Sequence, residues 1–161
     1  MRSVRYFLLV ICLLCAVSIK AQSFVTVENG KFCCNDKPYT FIGANYWYAA
    51  ILGSTGKGGN RRRLNKELDE LKRLGITNLR ILVGSDGDDD SKWKVKPVLQ
   101  TAPGVYNDSL LAGLDYLMLQ LQARNMVAVL YLNNSWEWSG GYGFYLKNAG
   151  AGKAVQPNVA G

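Results

Sequence analysis

Two near-continuous apolar runs, Asn78–Val83 (NLRILV) and Met126–Leu132 (MVAVLYL), each follow a stretch with helical spacing. That alternation constrains the fold more than any other feature. Such runs suit strands of a parallel sheet, and parallel neighbours need a crossover connection, usually a helix. Before the first run, Leu64, Leu68, Leu71 and Leu74 recur with charges between them, which predicts an amphipathic helix stopped by Gly75. Before the second, Leu110, Leu114, Leu117, Met118 and Leu121 predict another, capped by Asn107. Tyr39–Asn45 reads as a further buried strand with Phe41 and Ile42 in its middle. Upstream, Phe24–Glu28 and Lys31–Asn35 flank Asn29-Gly30, a strong hairpin signal, and Asn35–Pro38 is a second turn. The order is hairpin, β, α, β, α, β, then a loop region, which argues for the α/β class and βαβ units. Three strands make a thin sheet with two edges. The 161 residues fall short of the roughly 250 that a (β/α)8 barrel takes.

Residues 1–21 stand apart. Arg2 and Arg5 precede an uncharged apolar run, Tyr6–Val17, and small Ala21 sits where a cut would fall. This is the pattern of a signal peptide. The run is shorter than the roughly 20 residues a spanning helix needs, so no stable membrane span is expected. Residues 22–161 are expected to be secreted, extracellular or at the periplasm or cell surface. Of the net charge of +7, Arg2, Arg5 and Lys20 belong to the leader. The densest basic run left, Arg61-Arg62-Arg63, is followed by acids that place Arg63/Glu67, Lys66/Glu70 and Asp69/Arg73 four apart. A salt-paired helix face accounts for that better than nucleic-acid binding, which is not expected. Of the Cys residues, Cys33 and Cys34 lie outside the leader and are adjacent. Adjacent Cys rarely bridge each other.

The chain contains no His. It therefore cannot supply a Ser-His-Asp or Cys-His nucleophile system or an imidazole metal site. Asp86, Asp88 and Asp90 have the first spacings of a calcium loop, but Ser91 and Pro97 occupy its Gly and Glu positions, so a solvated loop is expected. Gly53–Lys57 and Gly150–Lys153 lack phosphate-loop spacing. No metal or cofactor is expected. In parallel α/β folds ligands bind at the C-terminal strand ends. Those ends carry Asn45-Tyr46-Trp47-Tyr48, Gly84-Ser85-Asp86 and Asn133-Asn134-Ser135-Trp136-Glu137-Trp138. Aromatic faces and amides suit sugar rings, which have apolar C–H faces and hydroxyl edges. The alternative is aromatic packing of loops about the rim. Arg80 is singular: a guanidinium within an apolar strand needs a carboxylate or a substrate.

Four ordered blocks carry a resemblance. FIGANYWY (Phe41–Tyr48), ELDELKRLGITNLRILVG (Glu67–Gly84), PVLQTAPGVYNDSLLAGLDYL (Pro97–Leu117) and AVLYLNNSWEWSGGYGFYLKNAG (Ala128–Gly150) resemble the N-terminal part of endo-β-1,4-mannanases of glycoside hydrolase family 5. The resemblance implies a (β/α)8 barrel that cleaves mannan with retention, using one Glu as acid/base in an Asn-Glu-Pro-type motif and another as nucleophile. It implies that Arg80 supports the nucleophile and that Trp136 lines the substrate cleft. Asn45, Tyr46 and Trp47 resemble strand-one residues near the sugar subsites. The chain contains no Asn-Glu-Pro segment. The expectation is therefore a partial (β/α)8 barrel, a hairpin plus about three βα units, inactive by itself because both catalytic Glu residues lie beyond it. The partner implied is mannan polysaccharide or oligosaccharide. A non-catalytic sugar-binding protein is the competing class.

Overall fold

A computed structural model describes residues 24–87 and 94–152, which form parts of two compact units divided at Thr40 and Phe41. The first unit is an antiparallel sheet of β1 (Val25–Glu28), β2 (Lys31–Cys34) and β3 (Lys37–Pro38), in that order. Asn29 and Gly30 both take positive φ, 50° and 74°, as a two-residue hairpin turn of the favoured twist requires. Asn35 and Asp36 repeat the device at 51° and 58°. The second turn is thus tighter than the sequence suggests, and Lys37-Pro38 pairs with Cys34 and Cys33. Pro38 is tolerated because this strand is at the sheet's edge. Cys33 and Cys34 are both free thiols.

The second unit contains β4 (Gly43–Asn45), α1 (Ala49–Gly53), α2 (Arg61–Arg73), β5 (Asn78–Leu82), β6 (Gln100–Ala102), β7 (Val105–Tyr106), α3 (Asp108–Ala123), β8 (Val127–Tyr131) and α4 (Gly141–Asn148). A short 3-10 turn, Glu137–Ser139, precedes α4. Strands β4, β5 and β8 form one parallel sheet in the order β4-β5-β8. The α/β class and the two crossover helices are therefore as the apolar runs predict. Asn60 caps α2 by accepting from the Arg63 amide at 2.9 Å. Asn107 caps α3 by accepting from Ser109 and Leu110.

The register fixes which side chains share a face. Arg80 lies opposite Asn45 and Val129, and Leu79 opposite Ala44 and Ala128. Side chains alternate along a strand. Ala44, Leu79, Ile81 and Ala128 accordingly face the helices and meet Leu64 and Leu68 of α2 and Leu117 and Leu121 of α3 in the core. The other face carries Asn45, Arg80, Val129 and Tyr131, and Val129 is 49% exposed. Burial on both faces, expected from the apolar runs, holds for β5 except at Arg80, since Asn78 and Leu82 on the Arg80 side are buried as well, whereas β8 is largely exposed on that side. Those runs serve the helix-covered side with alternate residues, while Arg80 interrupts the other.

Three further expectations are corrected, and one element is added that the sequence reading lacked. The strand read over Tyr39–Asn45 is a strand at Gly43–Asn45, and the side chains of Phe41 and Ile42 stand exposed before it. Helix α1 carries no amphipathic repeat or side-chain cap that would reveal it, yet it packs tightly on α3. A Cβ on Gly53 would come 2.3 Å from the Gly113 carbonyl oxygen. Met118 and Leu74 fall outside the buried stripes of their helices and are exposed. Asp69 pairs with Arg124 of α3 at 2.8 Å, while Arg73 takes Glu70 at 2.5 Å. The Arg63–Glu67 pair is present at 2.6 Å.

Candidate functional site

The C-terminal ends of β4, β5 and β8 lie side by side, and backbone bonds carry the pairing past the strands. The Tyr46 amide donates to the Arg80 carbonyl at 2.8 Å, and the Val83 amide to that of Tyr131 at 3.0 Å. On the uncovered face the Arg80 guanidinium carbon stands 3.6 Å above the centre of the Tyr131 ring. One of its amine nitrogens lies 3.5 Å from the Asn45 amide oxygen. Arg80 is exposed. Among the described residues the guanidinium rests on an aromatic shelf and beside an amide, a cheap arrangement for an exposed cation. Tyr131, within a run read as uniformly apolar, was not singled out by that reading.

Just beyond β4, Trp47 and Trp138 meet edge to face with ring centres 4.9 Å apart, and Trp47 and Tyr48 do so at 5.2 Å. This joins the end of the first parallel strand to the segment after the third. Trp136 is 53% exposed. Its amide donates to the Asn134 side-chain oxygen at 2.9 Å. The structure thus brings Asn45 to Arg80 and Trp47 to Trp138, and leaves much of the Trp136 side chain accessible.

Tyr46 has a different location from that expected. It is 4% exposed, packed in the core, and its hydroxyl donates to Glu67 on α2 at 2.6 Å. Tyr48 donates to the same carboxylate oxygen at 3.2 Å and Arg63 to its mate at 2.6 Å. The alternation that turns Asn45 outward turns the next residue inward. Burial and the bond to Glu67 push the Tyr46 phenol far above its ordinary range. Burial acts to raise the Glu67 carboxyl, but the hydrogen bonds from Tyr46, Arg63 and Tyr48 outweigh it and leave the group below its ordinary 4.5. A cavity of about 260 Å³ lies against α2, lined in part by Asn45, Tyr48 and Glu67.

Asp86 departs most from expectation. Rather than a solvated loop residue, it is 7% exposed. Its carboxylate accepts from Tyr145 at 2.8 Å, from Gln100 at 3.1 Å and from the Asn133 amide nitrogen. The signal available in sequence was its place in the segment that follows β5, as Asn133 stands in the segment that follows β8. Asp88 and Asp90, the other members of the calcium-like spacing, lie outside the described residues. So does the leader, 1–21. Among the described residues no group of three His, Cys, Asp or Glu side chains could hold a metal ion, and no helix is long and apolar enough to cross a membrane.

Residues 22–161 match the family model described as GH family 5 beta-mannosidase-like. The chain belongs to glycoside hydrolase family 5. Mannan endo-1,4-beta-mannosidase 3 of Solanum lycopersicum is 29% identical over 143 residues, which cover 86% of this chain and 33% of that protein. The crystal structure of a glycoside hydrolase family 5 mannosidase from Rhizomucor miehei is 36% identical, with a TM-score of 0.78 over 84% of this chain and 34% of that one. A mutant of the Rhizomucor miehei mannosidase was solved in complex with mannosyl-fructose. An endo-1,4-beta-mannanase from Rhizomucor miehei is 26% identical, with a TM-score of 0.63 over 80% of this chain and 34% of that one. The chain thus spans about a third of the length of the relatives it matches.

Proposed function

We propose that this chain forms the first three βα units of a (β/α)8 barrel that hydrolyses β-1,4-mannosidic linkages, and contributes part of that barrel's sugar-binding rim. The observation that carries this is the arrangement at Arg80. A cation stands on the uncovered face of a parallel sheet, stacked on Tyr131 and beside Asn45. In a closed barrel that face is the interior, and the reaction centre lies at its C-terminal end. Arg80 would orient a catalytic carboxylate supplied by a later strand, while Asn45, Trp47 and Trp136 would contact mannosyl units. Tyr46 would act from the core, holding Glu67. The retaining mechanism needs two carboxyl groups about 5–5.5 Å apart at the scissile bond. The sequence holds no Asn-Glu-Pro segment, so the 161 residues alone would bind sugar without cleaving it. Residues 1–21 would direct the protein out of the cytoplasm.

Half-exposed Trp136 also fits a second reading, a secreted carbohydrate-binding protein without catalysis. One set of measurements separates the possibilities. Purified 161-residue chain is expected to release no reducing ends from mannan, and to bind β-1,4-mannohexaose by calorimetry in a manner weakened by Trp136→Ala. Clear turnover refutes the inactive-fragment reading, and absence of binding refutes the sugar rim. An open frame downstream that encodes an Asn-Glu-Pro segment favours the hydrolase over the binding protein.

A further inference from the structure

One buried carboxylate ties together four segments distant in sequence. Asp86 follows β5, Gln100 begins β6, Asn133 follows β8 and Tyr145 lies in α4. The three side-chain donors converge on the two Asp86 oxygens. The Asp86 amide donates to the Ser139 carbonyl at 3.0 Å, and Lys94 donates to the Asp86 carbonyl at 3.3 Å. Burial, followed by the bond to Asp86, raises the Tyr145 phenol above its ordinary value.

The chain of bonds continues outward. Asn133, held by Asp86 through its nitrogen, uses its oxygen to accept from the Asn134 amide at 2.6 Å, and Ser139 Oγ lies 2.9 Å from it. Ser139 Oγ also lies 2.8 Å from the Asn134 side-chain oxygen, which accepts from the Trp136 amide at 2.9 Å. Ser139 is fully buried, whereas Trp136 is 53% exposed. A polar ladder thus runs from a buried anion to the backbone of a residue whose aromatic ring is half exposed. Exposed aromatics on loops lose affinity through their own mobility unless something beneath fixes the backbone.

We propose that Asp86 is a positioning residue that presents Trp136 to a sugar ring, acting through Asn133, Ser139 and Asn134. This inference rests on the sugar-rim reading of Trp136 and adds the device that sets the ring's place. Asp86→Asn keeps the shape but puts an NH2 group either against Gln100 or against Asn133 and Tyr145, so at least one of the three bonds that hold this carboxylate, and with it the anchor of the ladder, is lost.

The test uses the full 161-residue chain, with the Trp136 indole and amide signals followed by 15N NMR and β-1,4-mannohexaose as the probe. In Asp86→Asn, the Trp136 signals are expected to shift and gain fast motion, and mannohexaose affinity to fall about fivefold, the scale of a lost aromatic contact. Asn134→Ala leaves the donors to Asp86 in place and is expected to loosen Trp136 in the same way. It keeps the proposal testable if Asp86→Asn does not fold. A folded Asp86→Asn or Asn134→Ala with unchanged Trp136 signals overturns the proposal. If Trp136→Ala leaves mannohexaose affinity unchanged while Asp86→Asn still loosens the indole, positioning stands and the sugar-rim reading falls.

Discussion

Gly113 lies in the middle of α3, where intrinsic propensity favours alanine over glycine by about 1 kcal/mol. Propensity alone would make Gly113→Ala stabilising. The packing reverses the sign. A Cβ at 113 would stand 2.5 Å from the Ala50 carbonyl oxygen, 2.6 Å from the Ser54 nitrogen and 2.8 Å from the Ser54 Cα. Carbon contacts are most favourable at about 3.5–4.0 Å, so α1 must retreat by about 1 Å. All three atoms are backbone, and no rotamer change relieves them. Nor can α1 move alone: the Leu52 carbonyl accepts from the Asn60 amide at 2.8 Å and the Gly53 carbonyl from Arg61 at 2.8 Å. Overpacking costs about 1–3 kcal/mol and sometimes more, and a backbone-on-backbone clash belongs at the upper end. Less the propensity gain, the net loss is about 2 kcal/mol. At about 2–4 °C per kcal/mol for a chain near this size, Tm falls by about 4–8 °C. Urea unfolding followed by far-UV circular dichroism measures the loss, and Ala112→Gly at the exposed neighbouring position calibrates the propensity term. A Gly113→Ala protein as stable as the parent, with unchanged m, refutes the close approach of α1 and α3.

Asn107→Ala removes the acceptor for the Ser109 and Leu110 amides and should cost about 1 kcal/mol, read as a lower urea midpoint. The Glu67 carboxyl is held below its ordinary 4.5, so its contribution is present above that pH and is lost as pH falls through the folded-state value. The stability difference between the parent and Glu67→Gln should therefore shrink on acidification below about 4.5, and a difference constant from pH 7 to 3 would contradict the hydrogen-bond assignment. Tyr131→Leu and Arg80→Met should show a coupling of about 0.5–1 kcal/mol in a double-mutant cycle by chemical denaturation, the scale of an exposed cation–π pair, and additive losses would deny the stack.

The period-3.6 leucines located α2 and α3, and the two apolar runs located β5 and β8, because those signals repeat over many residues. Asn107 is legible as a cap in the sequence, whereas Asn60, which caps α2 in the same way, is not set apart from the polar loop before it. What stayed hidden depends on partners. Arg80 read as a buried cation because its shelf, Tyr131, lies two residues beyond its register partner Val129 on the same face of β8, a neighbour that only the sheet register identifies. Tyr46 read as a rim residue because one position of pleat separates outward Asn45 from the core. Asp86 read as one of four acids in a loop because its three donors come from positions 100, 133 and 145. Helix α1 is short, and it is held by what it packs against rather than by its own sequence.

The order β4-β5-β8 also sets an order of opening. Every residue of β5, Asn78 to Leu82, has a partner in β8, and Asn78 to Arg80 are flanked by β4 as well. Its amides can exchange with solvent deuterium only after a neighbour has departed. Among the described residues, β4 and β8 are each bound along one side alone, and β8 carries exposed Val127, Val129 and Leu130. Local fluctuation at these outer strands therefore costs less than release of β5, which belongs to the slowest-exchanging, cooperative unit. Arg80 is seated on that slow strand, while its shelf, Tyr131, stands on a faster one.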